Sequence, residues 1–302
     1  MHPPDPTSRP ATERTTWTDR ILSAIQYPLP HHLLSRIVFR LLRIRTRWVK
    51  NLQIRLIRWW FGIDLSEAVL KKPGDYPHFN AFFTRPLEPD ARPVVGGPGE
   101  IAAPVDGAVS QAGDIRGGRI FQAKGHDFGL RELLGGSAQR AKPFEDGAFA
   151  TIYLSPRDYH RIHMPVTGDL TEMVHVPGRL FSVNPATTRA VPHLFARNER
   201  VVAIFDTEAG PMALVLGGAI FVAAIETVWA GLVTPPRGRE IRSWRYGVNE
   251  AESVHLERGR EMGRFNMGST VIVLFGPDAV TWADGIQPEA AVRMGELLGR
   301  WG

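Results

Sequence analysis

The chain has 302 residues, a net charge of +5, 43% hydrophobic residues and no cysteine. That apolar fraction is enough for a core in one large domain or two small ones, and it excludes a disordered chain. The lack of cysteine excludes disulfides, thiolate metal sites and a cysteine nucleophile.

The first twenty residues contain Asp5, Glu13 and Asp19 and no apolar stretch. This reads against a secretory signal or an organelle presequence, and a flexible tail over 1–20 is expected instead. Between Asp19 and Asp64 there is no acidic residue, whereas nine Arg or Lys residues occur. From Leu33 to Gly62 the spacing predicts helix, with Leu34, Ile37, Val38, Leu41 and Leu42 on one stripe and Arg36, Arg40 and Arg43 elsewhere. Leu52, Leu56, Trp59 and Trp60 continue the pattern. A basic amphipathic helix of this kind either lies in a lipid headgroup layer or packs its apolar stripe on the core with a solvated basic face. Its charges forbid a simple transmembrane span. Basic residues interleaved with a large apolar face, without a recognised nucleic-acid motif, argue against nucleic acid as a partner. Residues 21–86 are expected to form a basic amphipathic helical region, with both packings open at this point, and the Pro- and Gly-rich stretch LEPDARPVVGGPGE to lead into a core over 87–302.

From Ile101 to Phe275 the segments GAFATIYL, ERVVAIFDT and STVIVLF are short, β-branched or aromatic, and separated by Gly or Pro, which predicts a β-rich core. The longest uncharged stretch, Ala209 to Ile225, has 17 residues and is broken by Pro211 and Gly217-Gly218. A membrane span needs about 20, so a hairpin is expected there. Leu130 to Leu134 predicts a helical turn, and Ala291, Met294, Leu297, Leu298 and Trp301 predict a short C-terminal helix. The expected class is α+β: a β-rich core, N-terminal amphipathic helices and a short C-terminal helix.

Three stretches carry the chemistry. Met267-Gly268-Ser269-Thr270 stands just ahead of Val271–Phe275; YLSPRDYHRIHMP, from Tyr153 to Pro165, offers His160 or His163 as a base; and Asp106, between Pro104-Val105 and Gly107, offers a carboxylate to orient it. A serine hydroxyl attacks a carbonyl only when a base takes its proton and a third group holds that base. Taken singly, Gly-Ser-Thr before a strand and Asp106 beside glycine are ordinary turn chemistry. His160 and His163 lack an evident third metal ligand, so no metal site is expected. A serine hydrolase built on Asp106, His163 and Ser269 is one alternative, although the GxSxG elbow is missing. A membrane-tethered, lipoyl-like binding module is another, although the APVDGAV turn has no lysine to modify.

Read together, YPHFNAFFTRPL, APVDGAV, YLSPRDYHRIHMP, FDTEAGPMA, IETVWAG and GRFNMGST resemble the phosphatidylserine decarboxylases, from Tyr76 to Phe275. The resemblance implies a proenzyme that cuts itself between Gly268 and Ser269, leaving chains 1–268 and 269–302 associated as a heterodimer. It implies that Ser269 becomes a pyruvoyl group, the cofactor, whose carbonyl condenses with the substrate amine as a Schiff base. It assigns His163 as the base and Asp106 as its orienting acid, and leaves His160 to handle the proton after carbon dioxide departs. Met267 stands where the family motif usually has Leu, a swap of similar volume. The implied reaction turns phosphatidylserine into phosphatidylethanolamine and carbon dioxide. The implied partner is an anionic membrane, reached peripherally on the cytoplasmic face of a bacterial inner membrane, with a homo-oligomer left open. Arg36, Arg40, Arg43, Arg45, Arg47 and Lys50 are then the residues expected to attract anionic lipid, and Lys124 is a candidate for its phosphate.

Overall fold

The computed structural model describes residues 15–123, 125–220, 224–234, 240–249, 253–267 and 270–302. Its centre is the strand Thr270–Phe275, whose residues are all buried. An uninterrupted run of Val, Ile, Leu and Phe suits a strand covered on both faces. This strand pairs antiparallel with Gly210–Gly217 on one side and with Ala148–Tyr153 on the other. From there the main sheet extends through Arg200–Thr207, Gly168–Val176 and Arg242–Arg245 in one direction, and through Gly107–Asp114 and Ala291–Val292 in the other. A four-stranded sheet, ordered Gly231–Leu232, Ile225–Thr227, Glu261–Phe265 and Arg161–His163, lies apart from it. The chain therefore leaves one sheet at Phe265 and enters the other at Thr270. The β-rich α+β class is borne out.

Three helices precede this core: α1 (Trp17–Ala24), α2 (His31–Leu41) and α3 (Arg47–Phe61). Helix α1 begins inside the expected tail because Thr16 caps it, accepting from the Asp19 N–H while the Asp19 carboxylate accepts from the Thr16 N–H. Asp19 also pairs with Arg189 of the core, which ties the helix down. Gly62 ends α3 in the left-handed conformation that glycine adopts without penalty.

The faces of these helices are inverted. Toward the protein they bury Asp19, Ser23, His31, Ser35, Lys50 and Ile54. Toward solvent they hold Leu33, Ile37, Leu41, Leu52, Leu56 and Phe61, together with Trp17, Trp48, Trp59 and Trp60, each of which is more than 70% exposed. Of the two packings the spacing allowed, burial of the whole apolar stripe on the core is not the one found. Only part of the stripe, Leu42 among it, packs inward, against a second cluster made by Ile54, Ile63, Leu65, Tyr76, Phe79, Phe82 and Phe83. Among the described residues no helix is long and apolar enough to cross a membrane. A short helix, α4 (Phe79–Phe83), carries three of those phenylalanines to the boundary with the core.

Two sequence expectations are corrected. The C-terminal segment is not a helix: it forms the strands Ala291–Val292 and Leu297–Trp301, the latter paired with Glu100–Ala102 and Val280–Trp282. Gly295 sits at φ 91°, and a side chain on Gly299 would meet the Thr281 carbonyl, so both glycines serve strand and turn geometry that a helix does not need. The stretch Ala209–Ile225 is not a hairpin in itself. Gly210–Gly217 makes its hairpin with the preceding Arg200–Thr207, and Ile225 already belongs to the other sheet. The expected helical turn at Leu130–Leu133 is present.

Candidate active site

Strand register gathers the distant motifs. Thr270 is level with Tyr153, and Tyr153 with Ala108, so the serine motif, the start of YLSPRDYHRIHMP and the turn after Asp106 end on one row. Side chains on such a row share one face of the sheet. On the other sheet, Arg161–His163 pairs with Glu261–Phe265, and the His160 carbonyl accepts from the Phe265 N–H at 3.0 Å. The His163 N–H donates to the Pro104 carbonyl at 2.9 Å, two residues before Asp106. Gly268 and Ser269 lie outside the described residues, as does Lys124. Their flanks Met267 and Thr270 meet this gathering of motifs, with Met267 packed against both hydrophobic clusters.

His160 is fully buried and packs against Phe83, with ring centroids 4.1 Å apart and ring planes tilted by 44°. Its Nδ1–H donates to the Asp158 carbonyl at 2.9 Å, which fixes the tautomer and leaves Nε2 with a bare lone pair. That Nε2 has no partner among the described residues. Burial disfavours the imidazolium and pulls the His160 pKa down to about 3, so the ring stays neutral at physiological pH.

His163 differs. Its Nδ1–H donates to the Gly259 carbonyl at 2.7 Å, and its Nε2 accepts from the Tyr159 hydroxyl at 3.0 Å. Both nitrogens are engaged, and burial again lowers the pKa, opposed by the bond to Gly259. Burial also lifts the Tyr159 phenol to about 12, so Tyr159 keeps its proton.

Asp106 is 8% exposed and is not hydrogen-bonded to either histidine. Arg92 grips it in fork geometry, Nε to Oδ1 at 2.9 Å and Nη2 to Oδ2 at 2.5 Å, and the Met294 N–H donates to Oδ1 at 2.8 Å. The sequence expectation of a direct Asp106–His163 bond therefore has no counterpart, because Gly259 occupies the nitrogen that Asp106 was to hold. Arg92 was missed by sequence reading, lying in a Pro- and Gly-rich stretch taken for a connection. It bridges on to Glu67 at 2.8 Å.

A cavity of about 410 Å³ opens beside the Ala108–Tyr153 row. Gln111, Gln122, Arg189 and Glu289 also line it. Arg189 is the residue held by Asp19 of α1, so the cavity wall adjoins the helical layer. No cluster of three or more metal-ligating His, Asp or Glu residues occurs among the described residues.

A family model described as phosphatidylserine decarboxylase matches residues 79–300, which spans the row, both histidines and the Gly268-Ser269 step. The chain belongs to the phosphatidylserine decarboxylase family. A second model, described as PSD, matches residues 21–62, the inverted helices. Phosphatidylserine decarboxylase proenzymes of Stutzerimonas stutzeri and Bordetella pertussis are each 59% identical to this chain, over 93% of it and over 95% and 94% of their own lengths. The proenzyme of Azotobacter vinelandii is 56% identical over 93% of this chain and 98% of its own. Membership makes the chain an enzyme of the decarboxylase class.

Among the described residues, His160 Nε2, Thr270 Oγ1 and Arg85 Nε and Nη1 are buried atoms without a hydrogen-bond partner. They are the deficits expected where a reacting group, rather than the protein itself, completes the hydrogen bonding.

Proposed function

We propose that the chain is made as a proenzyme that cuts itself between Gly268 and Ser269, and that the mature pair of chains converts phosphatidylserine to phosphatidylethanolamine and carbon dioxide at an anionic membrane surface. In the first step Ser269 Oγ attacks the Gly268 carbonyl, and the acyl group moves from nitrogen to oxygen. Elimination across the Ser269 Cα–Cβ bond then frees chain 1–268, and hydrolysis with loss of ammonia leaves a pyruvoyl group on chain 269–302. That group supplies an electrophilic carbonyl and an electron sink for decarboxylation of an amine substrate.

The observation that carries this reading is the bare lone pair of His160 Nε2. A general base must be neutral and must have an open nitrogen within reach of the proton it takes. His160 is neutral and its Nε2 has no partner among the described residues, whereas His163 Nε2 is already bonded to Tyr159. We therefore assign His160 as the base toward Ser269, exchanging the roles that the resemblance alone implied. His163 and Tyr159 form a hydrogen-bonded pair able to deliver a proton to the carbon that carbon dioxide leaves. Asp106 acts through Arg92, with which it forms a fixed, charge-paired wall of the site.

Membrane docking is supported by the inverted helices. Apolar side chains turned outward would enter the headgroup boundary, while exposed guanidinium groups meet lipid phosphate. The basic set is smaller than the sequence implied. Lys50 is buried against the Pro73 and Gly74 carbonyls, and Arg43 pairs with Glu226, whereas Arg36, Arg40, Arg45 and Arg47 are exposed. This positive face would favour the anionic cytoplasmic leaflet.

The test is release of labelled carbon dioxide from phosphatidylserine labelled in the serine carboxyl group, with and without cyanoborohydride. Release that the reductant blocks irreversibly is the expected result. Release that ignores the reductant, or none at all, refutes the proposal.

A further inference from the structure

Two arginines are buried in the described core, and they are treated very differently. Arg200 directs Nε to the Leu133 carbonyl, Nη1 to the carbonyls of Ala196 and Asn198, and Nη2 to that of Glu132. Its fork is satisfied and its role is to hold the fold. The side chain of Arg85, a residue 5% exposed, makes one hydrogen bond among the described residues, from Nη2 to the Arg157 carbonyl at 3.2 Å. Its Nε and Nη1 are buried with no partner among the described residues. A buried guanidinium with donors left open is costly, and such a deficit calls for an explanation.

The acids nearby do not provide one. Asp106 spends its oxygens on Arg92 and the Met294 N–H, and Asp158 bonds the Ser155 N–H at 2.7 Å. Arg85 lies beyond the end of α4, two residues from Phe83, the ring against which His160 packs. The carbonyls of adjacent residues anchor the two side chains: Arg157 holds Arg85, and Asp158 holds His160. Each side chain keeps its remaining nitrogens dry and open, one group a cation with donors to spare and the other a neutral acceptor.

We propose that Arg85 is the binding residue for the phosphodiester of the lipid headgroup. This rests on the reading of the chain as a phosphatidylserine decarboxylase. A planar fork of donors matches phosphate oxygens, and a phosphodiester keeps its charge from substrate to product. The headgroup carboxylate is the less suitable anion, since it leaves as neutral carbon dioxide, and an ion pair with it would favour the ground state over the transition state. The cavity beside Tyr153 is a poorer anion site, because Arg189 in its described lining is paired with Asp19 and Glu289 faces it.

Glycerophosphoethanolamine has the phosphodiester and the amine but no carboxylate, and so isolates this contact. Its inhibition constant is measured beside the KM for phosphatidylserine in mixed micelles, using self-cleaved wild type, Arg85→Gln and Arg85→Lys. Loss of a charge-assisted bond should raise both constants by about tenfold to a hundredfold in Arg85→Gln. Arg85→Lys should lie between, with kcat changed less than KM. If Arg85→Gln leaves both constants unchanged, Arg85 binds no substrate group. If KM rises while inhibition by glycerophosphoethanolamine does not, Arg85 holds the carboxylate and the phosphodiester assignment fails. Should Arg85→Gln fail to cleave itself, Arg85→Lys carries the same comparison and is decided by the same two results. A wild type that releases no carbon dioxide would overturn the underlying reading as well, and so differs from failure of this inference alone.

Discussion

The helical layer and the β core break the usual rule of burial in opposite directions. In α1 to α3, polar residues such as Asp19, Ser35 and Lys50 face the protein, and tryptophans face out. In the core, strand Thr270–Phe275 is wholly buried, yet the buried His160 Nε2 and two nitrogens of Arg85 have no partners among the described residues. Apolar surface left outside points to a second phase that covers it. Polar atoms left dry inside point to a reacting or binding group that completes them. One molecule thus shows both kinds of deficit, and the proposed docking layer and the proposed site rest on them respectively.

His160→Gln should slow self-cleavage by about 10²- to 10⁴-fold, the usual contribution of a general base, followed as the fraction of cut chain over time. Because Nε2 holds no partner among the described residues, the variant should stay folded. A cleavage rate equal to wild type would return the base to His163.

The docking layer is tested by charge reversal at Arg36, Arg40, Arg45 and Arg47. Each contributes about 1 kcal/mol near an anionic surface, so the fourfold Glu variant should lose most sedimentation with anionic liposomes while still cutting itself. Equal sedimentation would leave the inverted helices without a role at the membrane.

A smaller effect concerns pH. The His160 pKa falls from the ordinary 6.5 to about 3 on folding. Between those values the unfolded chain binds a proton that the folded chain refuses, so this group makes stability rise with pH across the window. Denaturant midpoints should therefore fall as pH drops below 6.5, by up to about 1.4 kcal/mol per pH unit from this group, and less steeply in His160→Gln. Parallel curves for the two proteins would contradict the burial argument.

Much of this was legible in the sequence, and the exceptions have physical causes. The β-branched runs marked the core strands because alternation and short apolar runs are local signals. The motif residues were found as a set, but their pairing was not, since hydrogen bonds of His163 to Gly259 and of Asp106 to Arg92 join positions 96 and 14 residues apart. Arg85 and Arg92 look like surface charges in TRPL and DARP, and only tertiary packing buries them. The C-terminal segment has helical spacing by coincidence, and pairing with Glu100–Ala102 prevails over it. The direction of the helical stripe could not be read at all, because periodicity defines a face without saying what covers it.

The central claim is the conversion of Ser269, and intact mass spectrometry of the purified chain beside Ser269→Ala tests it most directly. Two wild-type fragments are expected, the smaller lighter by one ammonia than residues 269–302, beside a single uncut Ser269→Ala chain. A wild type that remains one chain of full mass would contradict it.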